Sequence, residues 1–185
     1  MKKHFTVILT ALLLVAFLPA SEVPAEQAER KVLDAARAVM KAARFCFLIT
    51  LDEAGQPQAR LVGPFDPEPE MTVWMGTNRT TRKVGQIRRN PRATLAYYDA
   101  QGLGYVTLLG KARLVESLEE RRRRWRKEWE PFYPGGPEGD TYLLIEFTPA
   151  RIEVMSAAHN IASEPLAWRP AILERRAGGW VLEKR

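Results

Sequence analysis

The sequence predicts a mainly β protein, an antiparallel barrel with helices at its periphery. Apolar and β-branched runs follow one another closely between positions 45 and 156, and turn segments such as DEAGQPQ and AQGLG separate them. Helical patterns stand at the edges of this series and do not alternate with the strands, which disfavours a doubly wound parallel sheet. The sequence also lacks a glycine-rich dinucleotide-binding fingerprint.

Each predicted element follows from a local pattern. Apolar residues recur near a period of 3.6 from Ala25 to Arg44 and predict a helix, and SLEERRRRWRKEWEPFY predicts another, in which Ser117 and Glu120 form a capping box. The predicted strands are RFCFLITL and ARLVGPF as a hairpin, then MTVWMGT, ATLAYYD, YVTLLGKARLVE, YLLIEFTP and RIEVMS. The segment AILERRAGGWVLEKR predicts a final hairpin around Ala177-Gly178-Gly179.

The first 25 residues have the pattern of a secretory signal peptide. Two lysines precede an apolar run from Phe5 to Leu18, and small residues follow it. We therefore expect an exported, periplasmic or secreted protein. The alternative is an uncleaved N-terminal anchor, which would make the membrane a partner. The rest of the chain is predicted to form a barrel domain over residues 26–160 and a C-terminal extension with a hairpin over residues 161–185.

Composition narrows the classes of function. The chain has 185 residues, of which 46% are hydrophobic, and a formal net charge of +6, which together indicate a globular domain that favours anionic partners. Cys46 is the only cysteine and lies in an apolar run, so an internal disulfide is impossible and a buried, unreactive thiol is expected. No cluster of histidines and cysteines has metal-ligand spacing, and no metal site is predicted.

The stretch GTNRTTRKVGQIRRNP meets the physical requirements of a site for an anion. A predicted strand passes into a predicted helix at Thr77, Thr80, Thr81, Arg82 and Lys83, and helix N-termini present free backbone N–H groups. Arg60, on the strand ARLVGPF, is a further candidate donor to the same anion. The alternative is an ordinary capped surface helix with basic residues and a solvent-facing arginine.

The run RRRRWRKEW, from Arg121 to Trp129, admits two interpretations. Dense positive charge with an interleaved Trp125 suits a surface that binds nucleic acid or a membrane. The favoured interpretation is the solvated face of a helix, because Glu119 and Glu120 precede arginines by four residues in the order that stabilises helices. Nucleic acid is therefore not an expected partner.

The order of these segments resembles the pyridoxamine 5′-phosphate oxidase-like family of FMN-binding split barrels, especially its general-stress-protein branch. The similarity extends from Val32 to Ser156, and its most specific part is VWMGTNRTTRKVGQIRRNPRATLAYYD. The resemblance implies a split barrel that binds FMN at the interface of a homodimer. The residues that it assigns to the cofactor site are Arg60, Leu61, Val62, Gly76, Thr77, Thr81, Arg82 and Lys83.

Within that resemblance, Thr81, Arg82 and Lys83 would hold the FMN phosphate with help from Arg60, and Gly76 and Thr77 would meet the isoalloxazine edge. The expected function is flavin-dependent oxidation or reduction of a small molecule, with no catalytic residue indicated. A non-catalytic flavin-binding stress protein is the main alternative. Related split barrels bind F420 or haem, so these cofactors, or none, remain open. The substrate motif of the oxidase proper is missing from LAWRPAILERR.

Overall fold

The computed structural model describes residues 24–162 and 169–183, in which one eight-stranded antiparallel sheet carries three α-helices. The predicted signal peptide occupies residues 1–25 and lies almost wholly outside this range, so it stays a prediction, as do the domain boundaries. In chain order the elements are α1 (Ala25–Ala43), β1 (Cys46–Leu51), β2 (Pro57–Val62), β3 (Val73–Asn78), α2 (Arg82–Arg89), β4 (Arg92–Asp99), β5 (Gly104–Val115), α3 (Leu118–Arg123), β6 (Tyr142–Ser156), β7 (Ala171–Arg176) and β8 (Gly179–Leu182).

The sheet confirms the predicted fold class. Its strands follow the order β2–β1–β4–β5–β6–β7–β8, and β3 pairs with the first half of β6. Both predicted hairpins are present, because β1 pairs with β2 and β7 pairs with β8. Alternate residues of the strands point into a core that includes Leu48, Leu95, Leu108 and Ile152, all fully buried.

The barrel is split between β2 and β3. Each of these strands pairs on one side only, β2 with β1 and β3 with β6. The segment after β2 meets β3 at an isolated bridge between Pro64 and Met75. Next to this bridge, the Phe65 N–H donates to the Trp74 carbonyl at 2.8 Å. Beyond that bridge no ladder joins the two strands in the described chain. Their facing edges consequently leave backbone groups available to a ligand.

Helix α1 packs on the core of the barrel. It buries Val32, Ala36, Val39 and Met40 against β4, β5, β6 and β8, which confirms the helix predicted from the apolar period. The C-terminal hairpin extends this layer, and Trp180 of β8 joins the same core. Among the described residues, the helices are all too short or too polar to cross a membrane.

Two predicted elements were wrong in extent. The segments YLLIEFTP and RIEVMS form the single strand β6, because Pro149 sits at a bulge where Gly110 of β5 faces it, and a side chain on Gly110 would strike the Thr148 carbonyl. The long helix predicted from Ser117 is only six residues, and the chain continues through a 3-10 turn at Lys127–Trp129. Ser117 does accept the predicted capping bond from the Glu120 N–H, at 3.4 Å.

Candidate functional site

Helix α2 begins beside the split with its first turn uncapped. Thr81 is the residue before the helix, and its hydroxyl donates backward to the Asn78 carbonyl at 2.8 Å and accepts no bond from the first turn. The backbone N–H groups of a first helical turn have no partners within the helix. Because these groups and the positive end of the helix dipole favour negative charge, the start of α2 is suited to an anion.

Three cationic side chains meet at this end of α2. The charge of Arg82 acts on Arg60 of β2, and the charge of Arg60 acts on Lys83. Burial, followed by the repulsion from the neighbouring arginine, lowers the pKa of Lys83, and burial followed by Arg82 lowers that of Arg60. Within the described ranges, none of the three forms an ion pair with a carboxylate.

The acidic residues nearest this cluster already have other hydrogen-bond or ion-pair partners. Asp52 and Glu53 line a polar cleft together with Arg82. The Asp52 carboxylate accepts bonds from two backbone N–H groups of its own turn and from the Gln58 amide, and Glu53 pairs with Arg89 further along α2. Like charges held together without a counter-ion are unfavourable. A bound anion would relieve this repulsion.

Arg60 is half-buried and held by hydrogen bonds, so the alternative interpretation, a simple solvent-facing arginine, was wrong. Its Nη1 donates to the Leu48 carbonyl at 3.0 Å and to the Thr50 hydroxyl at 2.6 Å, and its Nη2 donates to Gln86 Oε1 at 2.9 Å. Thr50 and Gln86 are both buried. The guanidinium is therefore fixed between β1 and α2, on the same side of the sheet as Lys83.

The two threonines of the predicted site lie together. Thr77 is buried near the end of β3, and its hydroxyl is 3.3 Å from that of Thr81. Asn78 tightens the connection to α2, since its side chain accepts from both the N–H and the hydroxyl of Thr80 at 2.9 Å. This turn sets where α2 starts relative to β3.

Leu61, Val62 and Gly76 lie along the split rather than at the cationic cluster. Val62 and Gly76 are on the two facing edges immediately beyond the Pro64–Met75 bridge. Leu61 projects outward and is 60% exposed, whereas Val62 packs on the core. The structure thus brings the predicted site residues into two groups, a cationic group at α2 and a group along the strand edges.

The aromatic rings around Gly76 leave no room for a side chain at this position. A Cβ at this position would lie 2.7 Å from the Trp129 ring and 3.1 Å from the Tyr142 ring. Both rings belong to an aromatic cluster that covers the outer side of β3 and β6 and consists of Phe65, Trp125, Trp129, Tyr133 and Tyr142. Packing alone therefore requires glycine at position 76.

The favoured interpretation of the basic run from Arg121, a solvated helix face, was wrong for two of its members, Arg121 and Arg124. Arg121 donates to the carbonyls of Gly139 and Tyr142, and the side chain of Arg124 is only 12% exposed. Arg124 pairs with Glu68 at 2.6 Å and lies 3.9 Å above the Trp74 ring. These arginines fix the aromatic cluster and its loop to the barrel.

Two other features bear on the site. Cys46 is buried, which raises the pKa of its thiol to about 12 and confirms the expected unreactive thiol. Thr50 and Gln86 were missed by the sequence reasoning as members of the site. Gln86 follows Arg82 by one helical turn, a spacing that places the two side chains on one face, but the approach of β1 to that face depends on the sheet register.

The outer face of β2, β1 and β4 is apolar and exposed. Phe47 lies opposite Leu61 on one side and Ala96 on the other, and Tyr98 follows two residues after Ala96 on the same face. Phe47 and Tyr98 are 51% and 65% exposed. An exposed apolar patch that borders a candidate site marks a surface for association.

Comparison with known proteins agrees with this architecture. The chain is similar to general stress protein 26 of Bacillus subtilis, at 28% identity over 111 residues that cover 58% of this chain and 77% of that protein. A solved protein related to general stress protein 26, from Clostridium acetobutylicum, aligns with a TM-score of 0.62 at 18% identity over 70% of this chain and 91% of its own. A pyridoxamine 5′-phosphate oxidase-related, FMN binding protein from Nostoc punctiforme aligns with a TM-score of 0.58 at 17% identity over 89% and 98%.

Those two structural similarities show the fold. The family assignment has a separate basis, since the family model for pyridoxamine 5′-phosphate oxidase matches residues 32–156. That range includes β1 to β6, α2 and all eight predicted site residues. The chain belongs to the pyridoxamine 5′-phosphate oxidase family.

Proposed function

We propose that this chain is an exported FMN-binding flavoprotein that acts as a homodimer and oxidises or reduces a small molecule. The observation that carries the proposal is the cationic cluster of Arg60, Arg82 and Lys83, which lacks carboxylate partners in the described chain and faces an uncapped helix start. Such a site supplies charge-assisted donors from side chains and backbone together, as a terminal phosphate requires.

The residues fit a flavin mononucleotide in three respects. Arg60, Arg82, Lys83 and the Thr81 hydroxyl would bind the phosphate. The Gly76 backbone would offer a donor and an acceptor to the polar edge of the isoalloxazine, because Trp74, two residues earlier on β3, directs its carbonyl across the split to the Phe65 N–H. A flat ring would then lie in the split, next to an apolar surface. FMN supplies hydride and electron transfer when it is bound, and the protein contributes binding, orientation and electrostatics.

A second copy of the chain would complete this arrangement. Leu61 is exposed on the outer face and directly adjoins Val62 on the split, so a partner that covers Phe47, Leu61 and Tyr98 would also border the flavin. Burial of the exposed apolar surface of these side chains would favour association. Sedimentation of the purified chain tests this part, since a monomer at micromolar concentration would contradict it.

A flavin-binding protein without turnover is the second candidate function. It is favoured by the absence of an evident acid or base among the named site residues, of which only Arg60, Arg82 and Lys83 ionise and all three serve the phosphate in our proposal. F420 and haem are the alternative cofactors. The Nδ1 of His159 is 2.8 Å from the Ser156 hydroxyl, in a cleft that residues of α1 line, which gives haem no support at the split.

Titration of the purified mature chain with FMN tests the proposal. We expect saturable binding with flavin absorbance on the protein, and turnover with a nicotinamide donor or oxygen would separate the enzyme from the non-catalytic candidate. Lack of flavin absorbance and of any FMN uptake would overturn the proposal. Export is tested separately by fractionating cells that express the full chain, because a cytoplasmic, uncleaved product would contradict it.

A further inference from the structure

The guanidinium of Arg60 is bound by the protein on one edge and open on the other. An arginine has five N–H donors. Nη1 uses both of its donors on Leu48 and Thr50, and Nη2 uses one on Gln86. This leaves Nε–H and one Nη2–H, and these two nitrogens share an edge of the guanidinium, the geometry that binds two oxygens of one phosphate.

The acceptors that hold Arg60 also determine each other's roles as hydrogen-bond donor or acceptor. Arginine can only donate, so the Gln86 atom 2.9 Å from Nη2 must be the amide oxygen. The Thr50 hydroxyl accepts from Nη1 at 2.6 Å, so its own hydrogen is free to donate to the same Gln86 oxygen, also at 2.6 Å. The three side chains form a closed network, in which each polar contact fixes the orientation of the next.

This network links three elements of the site. Thr50 belongs to β1, Arg60 to β2 and Gln86 to α2, one helical turn beyond Arg82. Gln86 is only 7% exposed and Thr50 is fully buried, so water does not replace either acceptor readily. A buried glutamine without these hydrogen bonds would be unfavourable at this position of α2.

We infer that Thr50 and Gln86 are positioning residues for the phosphate-binding guanidinium of Arg60, and that through it they make the site select phosphorylated flavin over unphosphorylated flavin. The inference rests on the proposed function, since it assumes that Arg60 faces the FMN phosphate. Without these acceptors, Arg60 would lose its fixed orientation, and each contact with the phosphate would require ordering of the side chain on binding.

The test compares FMN with riboflavin, which lacks the phosphate, in four forms of the full mature chain. These are the wild type, Thr50→Val, Thr50→Ser and Gln86→Met. Valine keeps the shape of threonine without its hydroxyl, serine keeps the hydroxyl, and methionine approximates the length of glutamine without an acceptor oxygen. Fluorescence titration gives both dissociation constants, and thermal melting shows whether each variant is folded.

We expect Thr50→Val and Gln86→Met each to weaken FMN binding about tenfold, the effect of one lost hydrogen bond to a charged group. Riboflavin binding should change less than twofold, and Thr50→Ser should restore FMN affinity to within about threefold of the wild type. This selective loss is a signature that a general loosening of the fold does not produce, since loosening weakens both ligands.

Other outcomes overturn the inference in distinguishable ways. Equal losses for FMN and riboflavin would give Thr50 and Gln86 a structural role only, and unchanged FMN affinity would show that the network is not needed. Failure of serine to restore binding would exclude the hydroxyl as the cause. A wild type that binds neither flavin would instead overturn the proposed function, and this inference with it. If Thr50→Val does not fold, Gln86→Met decides alone.

Discussion

Two basic runs of this chain look alike in sequence and differ in what surrounds them. Arg121, Arg122, Arg123, Arg124 and Arg126 all have partners within the protein, namely backbone carbonyls, Glu138, Glu120, Glu68 and the rings of Phe65 and Trp129. Arg82 and Lys83, with Arg60, have no carboxylate partner in the described chain. Charge density alone therefore does not separate these two runs, whereas the partners of the charged side chains do.

The most severe test of the comparison removes the unpaired charges. Changing Arg82 and Lys83 together to alanine should weaken FMN binding by about 3 kcal/mol, or more than 100-fold, because each charge-assisted donor contributes about 1.5–3 kcal/mol. Fluorescence titration measures this change. The matched control is the double change of Arg88 and Arg89 to alanine, in the same helix, whose side chains pair with Glu116 and Glu53.

The control pair should leave FMN affinity within about twofold of the wild type, since surface ion pairs contribute little. Equal losses in the two double variants would mean that the general positive charge of α2 attracts the ligand. In that case the contrast between paired and unpaired cations would be lost.

A second test concerns the boundary between the two regions, where Trp129 contacts Gly76. Gly76→Ala should lower the free energy of unfolding by about 2 kcal/mol, because the new Cβ would overlap the Trp129 ring in a packed region. Denaturant titration measures this change. In a Trp129→Leu background the same substitution should cost clearly less. A Gly76→Ala variant with wild-type stability but weakened FMN binding would instead assign the small residue to the ligand.

A third test removes a paired arginine. Arg124→Gln should destabilise the fold by about 1–2 kcal/mol, since it loses the ion pair with Glu68 and the contact with the Trp74 ring in a largely buried position. FMN affinity should stay unchanged. Arg123→Gln is the control, because Arg123 is 59% exposed and pairs only within its own helix. A loss of flavin affinity in Arg124→Gln would place this run at the site.

The smallest expected effect depends on pH. Burial and Arg60 lower the pKa of Lys83, so its charge is lost at a pH below lysine's ordinary 10.5, while the FMN phosphate is already a dianion above about pH 7. FMN affinity should therefore fall by up to about tenfold as the pH rises through the lowered pKa of Lys83. Lys83→Arg, which keeps its charge, should abolish this fall, and a fall retained in Lys83→Arg would exclude Lys83 as its source.

Much of the fold could be predicted from the sequence, because residues close together in the chain determine the elements concerned. The apolar period of α1, the turn residues of the hairpins and the Ser117 cap are each set by neighbours in the chain. The errors arose where residues distant in the chain determine the local structure. Pro149 stays within β6 only because Gly110 faces it across the sheet. The run after Arg123 leaves the helix, and its aromatic side chains pack with Phe65 and Tyr142.

The sequence was sufficient to predict which residues form the candidate site, but not how they are arranged in space. Thr81, Arg82 and Lys83 are consecutive, so a pattern of hydroxyl and cations at a helix start was sufficient to select them. Arg60 has ambiguous surroundings in sequence, and its fixed guanidinium depends on Thr50 and Gln86, which lie 10 and 26 residues away. Only the sheet register and the docking of α2 bring these three together.

We propose that the unpaired cations at the start of α2 form a phosphate site for FMN. The most direct measurement is a titration of the purified mature chain with FMN, followed by absorbance of the protein after removal of free ligand. We predict stoichiometric flavin bands on the wild type and their loss in the Arg82→Ala, Lys83→Ala double variant. Flavin-free wild type under saturating FMN, or equal retention by the double variant, would contradict the claim.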